Sequence, residues 1–262
     1  MDLNLVGKTA IVCGSTQGLG LACAQELALL GAHIVLMARN EEKLKSTLLT
    51  LDVAKGQQHS YLVADFSDPA TVEKAMHTFI QQKKTAHILI NNTGGPAGGS
   101  ALAASVQEFS SAFNSHLICN HILVQAVGPG MKEAGFGRII NVISTSVKSP
   151  IAGLGVSNTI RAAVANWGKT LATELGSFGI TVNNVLPGFT NTSRAEYVIN
   201  KKAVDLNKTR EDVLQELVAE IPAGRIGEPS EFGAAVAFLC TPAAAYINGI
   251  NLPVDGGRLG CL

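Results

Sequence analysis

The sequence is poor in charged and in aromatic side chains. Charged residues make up 15% of its 262 residues and aromatic residues 5%, and lysine plus arginine equal aspartate plus glutamate in number. Proteins that bind nucleic acid or an acidic membrane surface usually concentrate positive charge on one face. This balance gives no such footprint, and we expect no nucleic-acid partner.

Cysteine is scarce, and long apolar runs are missing. The five cysteines form no CxxC pair and have no histidine at metal-ligand spacing, which argues against a zinc site or a disulfide framework. No apolar run approaches the roughly 20 residues that span a bilayer, and the N-terminal stretch lacks the features of a secretory signal. We therefore expect a cytoplasmic protein with no metal and no membrane partner. The cysteines are Cys13, Cys23, Cys119, Cys240 and Cys261.

Short aliphatic runs alternate with longer helical patterns along the whole chain. Such alternation predicts right-handed crossovers and a doubly wound parallel sheet of seven strands with helices on both faces. Runs such as "IVLMA" are apolar throughout, as expected of strands buried on both sides. The strands are expected at 9–14, 33–38, 60–65, 87–92, 138–144, 180–187 and 250–257, and helices at 18–30, 40–55, 69–83, 101–134 and 151–177.

We expect one α/β domain over residues 1–262, because no repeat or linker divides the chain. Only residues 189–229 interrupt the alternation, with a polar helical segment after the sixth strand. Ligands of open α/β sheets bind beyond the carboxyl ends of the strands, so this insertion is well placed to be a substrate lid. A surface helical hairpin is the alternative.

The stretch "CGSTQGLG" follows the first strand and opens a helix, with glycines at 14, 18 and 20. Glycines let the backbone approach a pyrophosphate, and the helix N-terminus offers free N–H groups. In this strand–turn–helix context, the motif predicts a dinucleotide site.

This turn, "NNTG" at 91–94, "PG" at 187–188 and "VDGG" at 254–257 together resemble the short-chain dehydrogenase/reductase family, especially its β-ketoacyl-carrier-protein-reductase-like members. The resemblance covers essentially the whole chain. It implies a Rossmann-like domain, a nicotinamide cofactor, a carbonyl or secondary-alcohol substrate and usually a homotetramer, with a dimer next. The segments 101–134 and 157–176 would build one subunit contact.

The end of the second strand favours NADP over NAD. Ala38 stands where NAD-preferring relatives carry an acid, and Arg39 beside it can pair with a 2′-phosphate, although Gln17 stands where many NADP-dependent relatives have a basic residue. By resemblance, Asp65 reaches the adenine, Asn91 lies near the ribose, and the other positions follow the family's motifs. The cofactor residues so assigned are Gly14, Ser15, Thr16, Gln17, Gly18, Leu19, Gly20, Arg39, Asp65, Phe66, Asn92, Gly94, Pro187, Gly188, Thr190 and Thr192.

The family's catalytic residues are Asn, Ser, Tyr and Lys. The resemblance places the Asn at Asn114, where it would disturb a helix and hold a water, and the Ser at Ser144 after the fifth strand. The Tyr and Lys positions fall on Ser157 and Arg161, so the helical spacing is kept and the chemistry is altered. A serine hydroxyl is a poor acid, and arginine is a permanent cation that can stabilise an oxyanion.

Three interpretations stay open. The chain can be a reductase whose proton comes from water or from Lys148, His116 or Tyr197. Its substrate can instead carry a carboxylate that Arg161 binds, or be a ketoacyl thioester. The third interpretation is a nucleotide-binding pseudoenzyme that serves as a sensor or oligomer subunit. The glycine-rich turn and the loop "PGFTNT" at 187–192, which by resemblance faces the nicotinamide, are both present and favour an NADP-dependent reductase.

Overall fold

A parallel seven-stranded sheet runs through the centre of the molecule. The computed structural model describes residues 1–82 and 84–261. The strands lie in the order β3-β2-β1-β4-β5-β6-β7, so the order reverses between β1 and β4. The predicted doubly wound, single-domain α/β fold is confirmed. The strands are β1 Thr9–Cys13, β2 His33–Ala38, β3 Ser60–Val63, β4 Ile88–Asn91, β5 Gly137–Val142, β6 Ile180–Pro187 and β7 Asn251–Val254.

Helices cover both faces of the sheet. The helix predicted at 40–55 ends at Leu48, and Lys83, the predicted end of the next one, lies outside the described residues. The single helix expected over 101–134 is two helices joined by a π-helical turn at Asn114–Ile118. The helices are α1 Gly18–Leu29, α2 Glu41–Leu48, α3 Pro69–Gln81, α4 Val106–Phe113, α5 Cys119–Glu133, α6 Gly155–Leu175, α7 Ser193–Leu206, α8 Arg210–Ala219 and α9 Pro229–Leu239.

The central strands are buried on both sides. In β1, Ala10 and Val12 pack into one core with α1 and α9, while Ile11 and Cys13 pack into the other with α3 and α5. Successive side chains of a strand point to opposite faces, so both sets must be apolar when both faces are covered. This is the physical reason for the continuous apolar runs in the sequence.

A row of asparagines crosses four neighbouring strands at one level. Asn91 Nδ2 donates to Asn141 Oδ1 at 2.8 Å, Asn141 Nδ2 donates to Asn184 Oδ1 at 2.9 Å, and Asn184 Nδ2 donates to Asn251 Oδ1 at 2.8 Å. The four residues are register partners in the sheet. The side chain of Asn91 therefore links two strands inside the sheet, whereas the resemblance had placed it beside a ribose. Gly168 of α6 packs directly on this asparagine row.

Residues 189–229 contain α7 and α8, which Asn207 joins in a left-handed conformation. An exposed ion pair between Arg210 and Glu196, at 2.7 Å, links the two helices. Within the described residues, none of the helices is both long and apolar enough to cross a bilayer.

Candidate active site

The predicted site residues gather at one edge of the sheet. All strand pairs are parallel, so the loops that follow β1 to β6 leave the sheet on the same side. The reversal of strand order between β1 and β4 opens a crevice at this edge, which is where open α/β sheets bind ligands.

Only glycine fits the turn after β1. Gly14 has φ +57°, and a Cβ added to it would lie 2.7 Å from the main-chain oxygen of Asn92. A Cβ at Gly20 would lie 2.3 Å from the oxygen of Gly14. Asn92 fastens this turn by donating from Nδ2 to Cys13 O at 3.2 Å. The backbone of this turn therefore faces the crevice without side chains at its glycines.

The N-terminus of α1 carries no side-chain cap. Gln17 precedes the helix in an extended conformation without a capping hydrogen bond, and the first turn holds no acid. By contrast, α2 and α3 are capped by Asn40 and Asp68. The free N–H groups and positive dipole end of α1 are suited to an anion such as a phosphate.

Two residues of the predicted nucleotide loop face the protein instead. The fully buried Ser15 accepts a hydrogen bond on Oγ from the Met37 N–H at 3.1 Å, which fixes the turn to β2. Leu19 packs against the core beneath α1. Their side chains therefore shape the turn, whereas Thr16 is partly exposed and Gln17 is exposed.

A cavity of about 450 Å³ lies beyond the ends of β2 and β3, with Arg39 and Asp65 in its wall. The N–H and hydroxyl of Ser67 lower the pKa of Asp65, and the charge of Arg39 lowers it further. A cation and a carboxylate thus face one open space. Phe66 packs partly against the core under α5.

The loop after β6 covers the glycine turn. A Cβ at Gly18 would lie 3.5 Å from Thr192 Cγ2, and Thr192 Oγ1 caps α7 by accepting from the Ala195 N–H at 3.3 Å. The buried Thr190 donates its hydroxyl proton to Gly188 O at 3.3 Å. Of the other predicted cofactor residues, Pro187 is partly buried and Gly94 is exposed.

Ser144, Ser157 and Arg161 lie where β5 ends and α6 passes it. Ser144 Oγ accepts from the Ser146 N–H at 3.1 Å, which leaves its own proton free to donate. Arg161 is buried and donates from Nη1 to Val142 O at 2.9 Å and from Nη2 to Thr93 O at 3.4 Å. Among the described residues no carboxylate forms an ion pair with it, and burial lowers its pKa to about 10.

The assignment of Asn114 needs correction. The helix is disturbed where expected, because the Cys119 N–H donates to Asn114 O in a π-type bond, but the Asn114 side chain is exposed. The side chain that this turn buries is His116, at 2% exposure. Helical periodicity could have indicated that His116 is the buried residue. His116 follows the buried Ala112 by four residues, and Asn114 does not share that face.

His116 is joined to Thr93 by a hydrogen bond of 2.5 Å between Nδ1 and Oγ1. Burial, and then the charge of Arg161, lower the pKa of His116 to about 3. Its imidazole is therefore neutral near pH 7 and is no acid for a proton-transfer step. Of the other proton sources considered, Tyr197 is exposed on α7 and Lys148 is partly buried after β5.

The buried imidazole is expected to make the fold sensitive to mild acid. An unfolded histidine takes up a proton below about pH 6.5, and folded His116 does not until about pH 3, so the free energy of unfolding falls as pH drops through this window. Between pH 6.5 and 5 the loss from this group is about 1.6 kcal/mol. Urea unfolding of wild type and His116→Gln at both pH values measures it. The unfolding free energy of His116→Gln should fall by that much less than that of wild type between the two pH values. His77→Gln, at an exposed position, should show the same fall as the wild type. Equal losses in all three proteins would contradict a buried neutral His116.

Comparison with known proteins agrees with the fold and extends over nearly the whole chain. A family model described as enoyl-(acyl carrier protein) reductase matches residues 14–258. The chain is 34% identical over 256 residues to 3-oxoacyl-[acyl-carrier-protein] reductase of Vibrio cholerae, covering 97% of this chain and 98% of the relative. It is 35% identical to a tropinone reductase homolog of Arabidopsis thaliana, covering 97% and 90%.

Solved structures give the same result. L-sorbose reductase from Gluconobacter frateurii, complexed with NADPH and L-sorbose, superposes with a TM-score of 0.93 at 30% identity and covers 100% of both chains. A variant of actinorhodin polyketide ketoreductase with NADPH superposes with a TM-score of 0.89 at 29% identity, covering 97% of this chain and 98% of the other.

Proposed function

Because the chain belongs to the short-chain dehydrogenase/reductase family, we propose that it is an NADP(H)-dependent oxidoreductase that interconverts a carbonyl and a secondary alcohol. The observation that carries this proposal is the uncapped N-terminus of α1 behind a glycine-only turn, at the edge where Ser144 and Arg161 lie. Similar proteins of known structure were solved with NADPH.

The residues of the crevice fit a dinucleotide. Gly14, Gly18 and Gly20 leave room for a pyrophosphate against the α1 N-terminus, and Asp65 and Arg39 border a cavity large enough for an adenosine end. When bound, NADPH supplies a hydride to a carbonyl carbon. The protein's part is to hold the cofactor, polarise the carbonyl and stabilise the oxyanion.

Arg39 is expected to set the preference for NADPH. Its guanidinium can pair with a 2′-phosphate, and Ala38 brings no carboxylate to repel that phosphate. Replacing Arg39 with alanine should weaken NADPH binding about 10- to 100-fold and leave NADH binding within a factor of about two. Cofactor fluorescence in an equilibrium titration measures both dissociation constants.

Lys43→Ala is the matched control, since Lys43 is an exposed cation on the neighbouring helix α2. It should change neither affinity by more than a small factor. An equal loss of NADH and NADPH affinity in the Arg39 variant would contradict the phosphate contact. Failure of the wild-type protein to bind either cofactor would overturn the proposed function as a whole.

We infer an anionic reacting group from the surroundings of Arg161. Arg161 is a buried cation that makes no ion pair within the described residues, and an uncompensated buried charge is costly unless a ligand or developing oxyanion balances it. We therefore propose a substrate that carries a carboxylate beside its carbonyl, or a ketoacyl thioester, with Ser144 and Ser157 donating to the carbonyl. The final proton then comes from water. Turnover of keto acids and ketoacyl thioesters with NADPH tests this. Tight NADPH binding without turnover would instead indicate a pseudoenzyme.

Three further parts of the proposal concern the surroundings of the site. Residues 189–229 are proposed to act as a substrate lid, because Thr192 at the start of α7 already lies over the glycine turn. A homotetramer, or a dimer, is proposed from family membership and from the exposed Val106 and Phe113 of α4. A cytoplasmic location remains a prediction from cysteine usage.

A further inference from the structure

The π-helical turn after α4 presents one polar side chain to the interior, and that side chain is His116. The turn packs against α6, the helix that carries Ser157 and Arg161. Thr93, which follows β4, connects the two elements: its side chain bonds His116, and its main-chain oxygen accepts from Arg161. Histidine, threonine and arginine thus form one connected group at the floor of the crevice.

The hydrogen bonds favour one tautomer of the imidazole. Among the described residues Thr93 Oγ1 has no other hydrogen-bond partner than His116 Nδ1, so within them its proton has an acceptor only if it donates to Nδ1. An Nδ1 that accepts leaves the imidazole proton on Nε2. The structure gives Nε2 no acceptor within the described residues, and Nε2 is not among the enclosed polar atoms that lack a partner there. Nε2 is therefore not completely enclosed, while the residue as a whole is 2% exposed.

Burial keeps the imidazole neutral, and the charge of Arg161 adds to this effect. A second positive charge beside a buried guanidinium would be unfavourable, and no carboxylate among the described residues forms an ion pair with either group. A neutral imidazole next to a fixed cation is a good hydrogen-bond donor to an oxygen that gains negative charge, because it donates without giving up its proton.

Resting on the proposed reductase function, we propose that His116 is a catalytic hydrogen-bond donor whose Nε2–H, fixed by Thr93, stabilises the oxygen of the substrate carbonyl as hydride is added to the carbon. The carbonyl carbon is reduced by the two electrons of the hydride, and NADPH is oxidised to NADP⁺. The resulting alkoxide takes its proton from water. His116 keeps its Nε2 proton throughout, so no net proton passes through it. Together with Ser144, His116 polarises the substrate carbonyl, a task for which the Ser157 hydroxyl is a weak donor.

The first test reads the tautomer without needing a substrate. Protein labelled with ¹⁵N-histidine is examined by long-range ¹H–¹⁵N NMR between pH 8 and pH 5, with His116→Asn to assign the signals. The proposal expects an unprotonated Nδ1 and a protonated Nε2 across this range. Thr93→Val, which removes the hydroxyl and keeps the shape, should give a mixture of tautomers. A wild-type imidazole protonated on Nδ1, or on both nitrogens by pH 6, would overturn the proposal.

The second test separates a catalytic role from a structural one. The substrate is one of the keto acids or ketoacyl thioesters named above that the wild type reduces. On it, His116→Asn should lower kcat about 10- to 100-fold while the Kd for NADPH stays within a factor of about two. His116→Gln, whose longer side chain can place an amide N–H near the position of Nε2, should recover part of the loss that the shorter Asn amide leaves. His121→Asn is the matched control, because His121 of α5 packs edge-on against Trp167 of α6, and this substitution should leave kcat unchanged.

The outcomes distinguish this inference from the proposed function. Unchanged kcat in His116→Asn overturns the inference and leaves the reductase intact. The same holds if Asn114→Ala causes the loss of kcat instead. If the wild type reduces none of these keto acids or ketoacyl thioesters, the proposed function fails and the catalytic role of His116 fails with it, whichever tautomer the NMR spectrum gives.

Discussion

Replacing Ser144 with alanine is expected to lower kcat about 10²–10³-fold, with little change in the affinity for NADPH. The Ser144 hydroxyl already accepts from the Ser146 N–H, so its proton is available for the carbonyl oxygen at the end of β5. A donor of this kind acts mainly in the transition state, and its loss should lower kcat and kcat/KM together. Steady-state kinetics with the best ketone, together with a cofactor titration, measure both effects.

Ser146 provides a close control. It lies two residues further along, it is buried, and its Oγ has no hydrogen-bond partner among the described residues. Removing a hydroxyl without a partner takes away no bond, so Ser146→Ala should keep both the activity and the stability of the wild type or slightly raise the stability. If Ser146→Ala lost activity and Ser144→Ala did not, the assignment of the catalytic serine would be wrong.

Replacing Gly168 with alanine is expected to cost about 2–4 kcal/mol of unfolding free energy. The added Cβ would lie 2.7 Å from both Asn141 Nδ2 and Asn184 Oδ1, inside the buried asparagine row. Either α6 moves away from the sheet or the hydrogen bond between these two asparagines breaks. The smaller entropy of the unfolded alanine chain offsets this cost by less than about 1 kcal/mol. Urea unfolding monitored by circular dichroism measures the difference.

The same helix carries Ser157 and Arg161 a few turns earlier, so the damage should extend to the site. Gly168→Ala is expected to lower turnover as well as stability, whereas Thr170→Ala on the exposed side of α6 should change the unfolding free energy by no more than about 0.5 kcal/mol. An unfolding midpoint equal to that of wild type in the Gly168 variant would mean that α6 does not need its close approach to the asparagine row.

The strand pattern was predictable because its cause is local. A strand buried on both faces must be apolar at every position, and the run "IVLMA" shows this directly in its residue types. The glycine turn was predictable for a similar reason, since positive φ at Gly14 and the absence of space at Gly20 exclude all other residues. Parallel strands then place their carboxyl ends together, so the position of the crevice followed from the order of elements.

The packing within that crevice was not predictable from local pattern. The sequence offers Asn114 and His116 two residues apart in a helical segment, and only the π-type turn and the packing against α6 bury His116 beside Thr93 and Arg161. Asn91 was expected near a ribose, but register across four strands places it in the asparagine row.

The sequence by itself therefore determined the architecture, the edge of the sheet that holds the site and the residue types available there. Each of these depends on periodicity, on glycine geometry or on the direction of the strands, which act over a few neighbouring residues. Only the tertiary structure decided which polar side chains are buried together and which stay charged. The pKa of His116 and the bonds of Arg161 depend on groups that lie 19 to 68 residues apart in the chain, and that distance is closed only when the helices pack on the sheet.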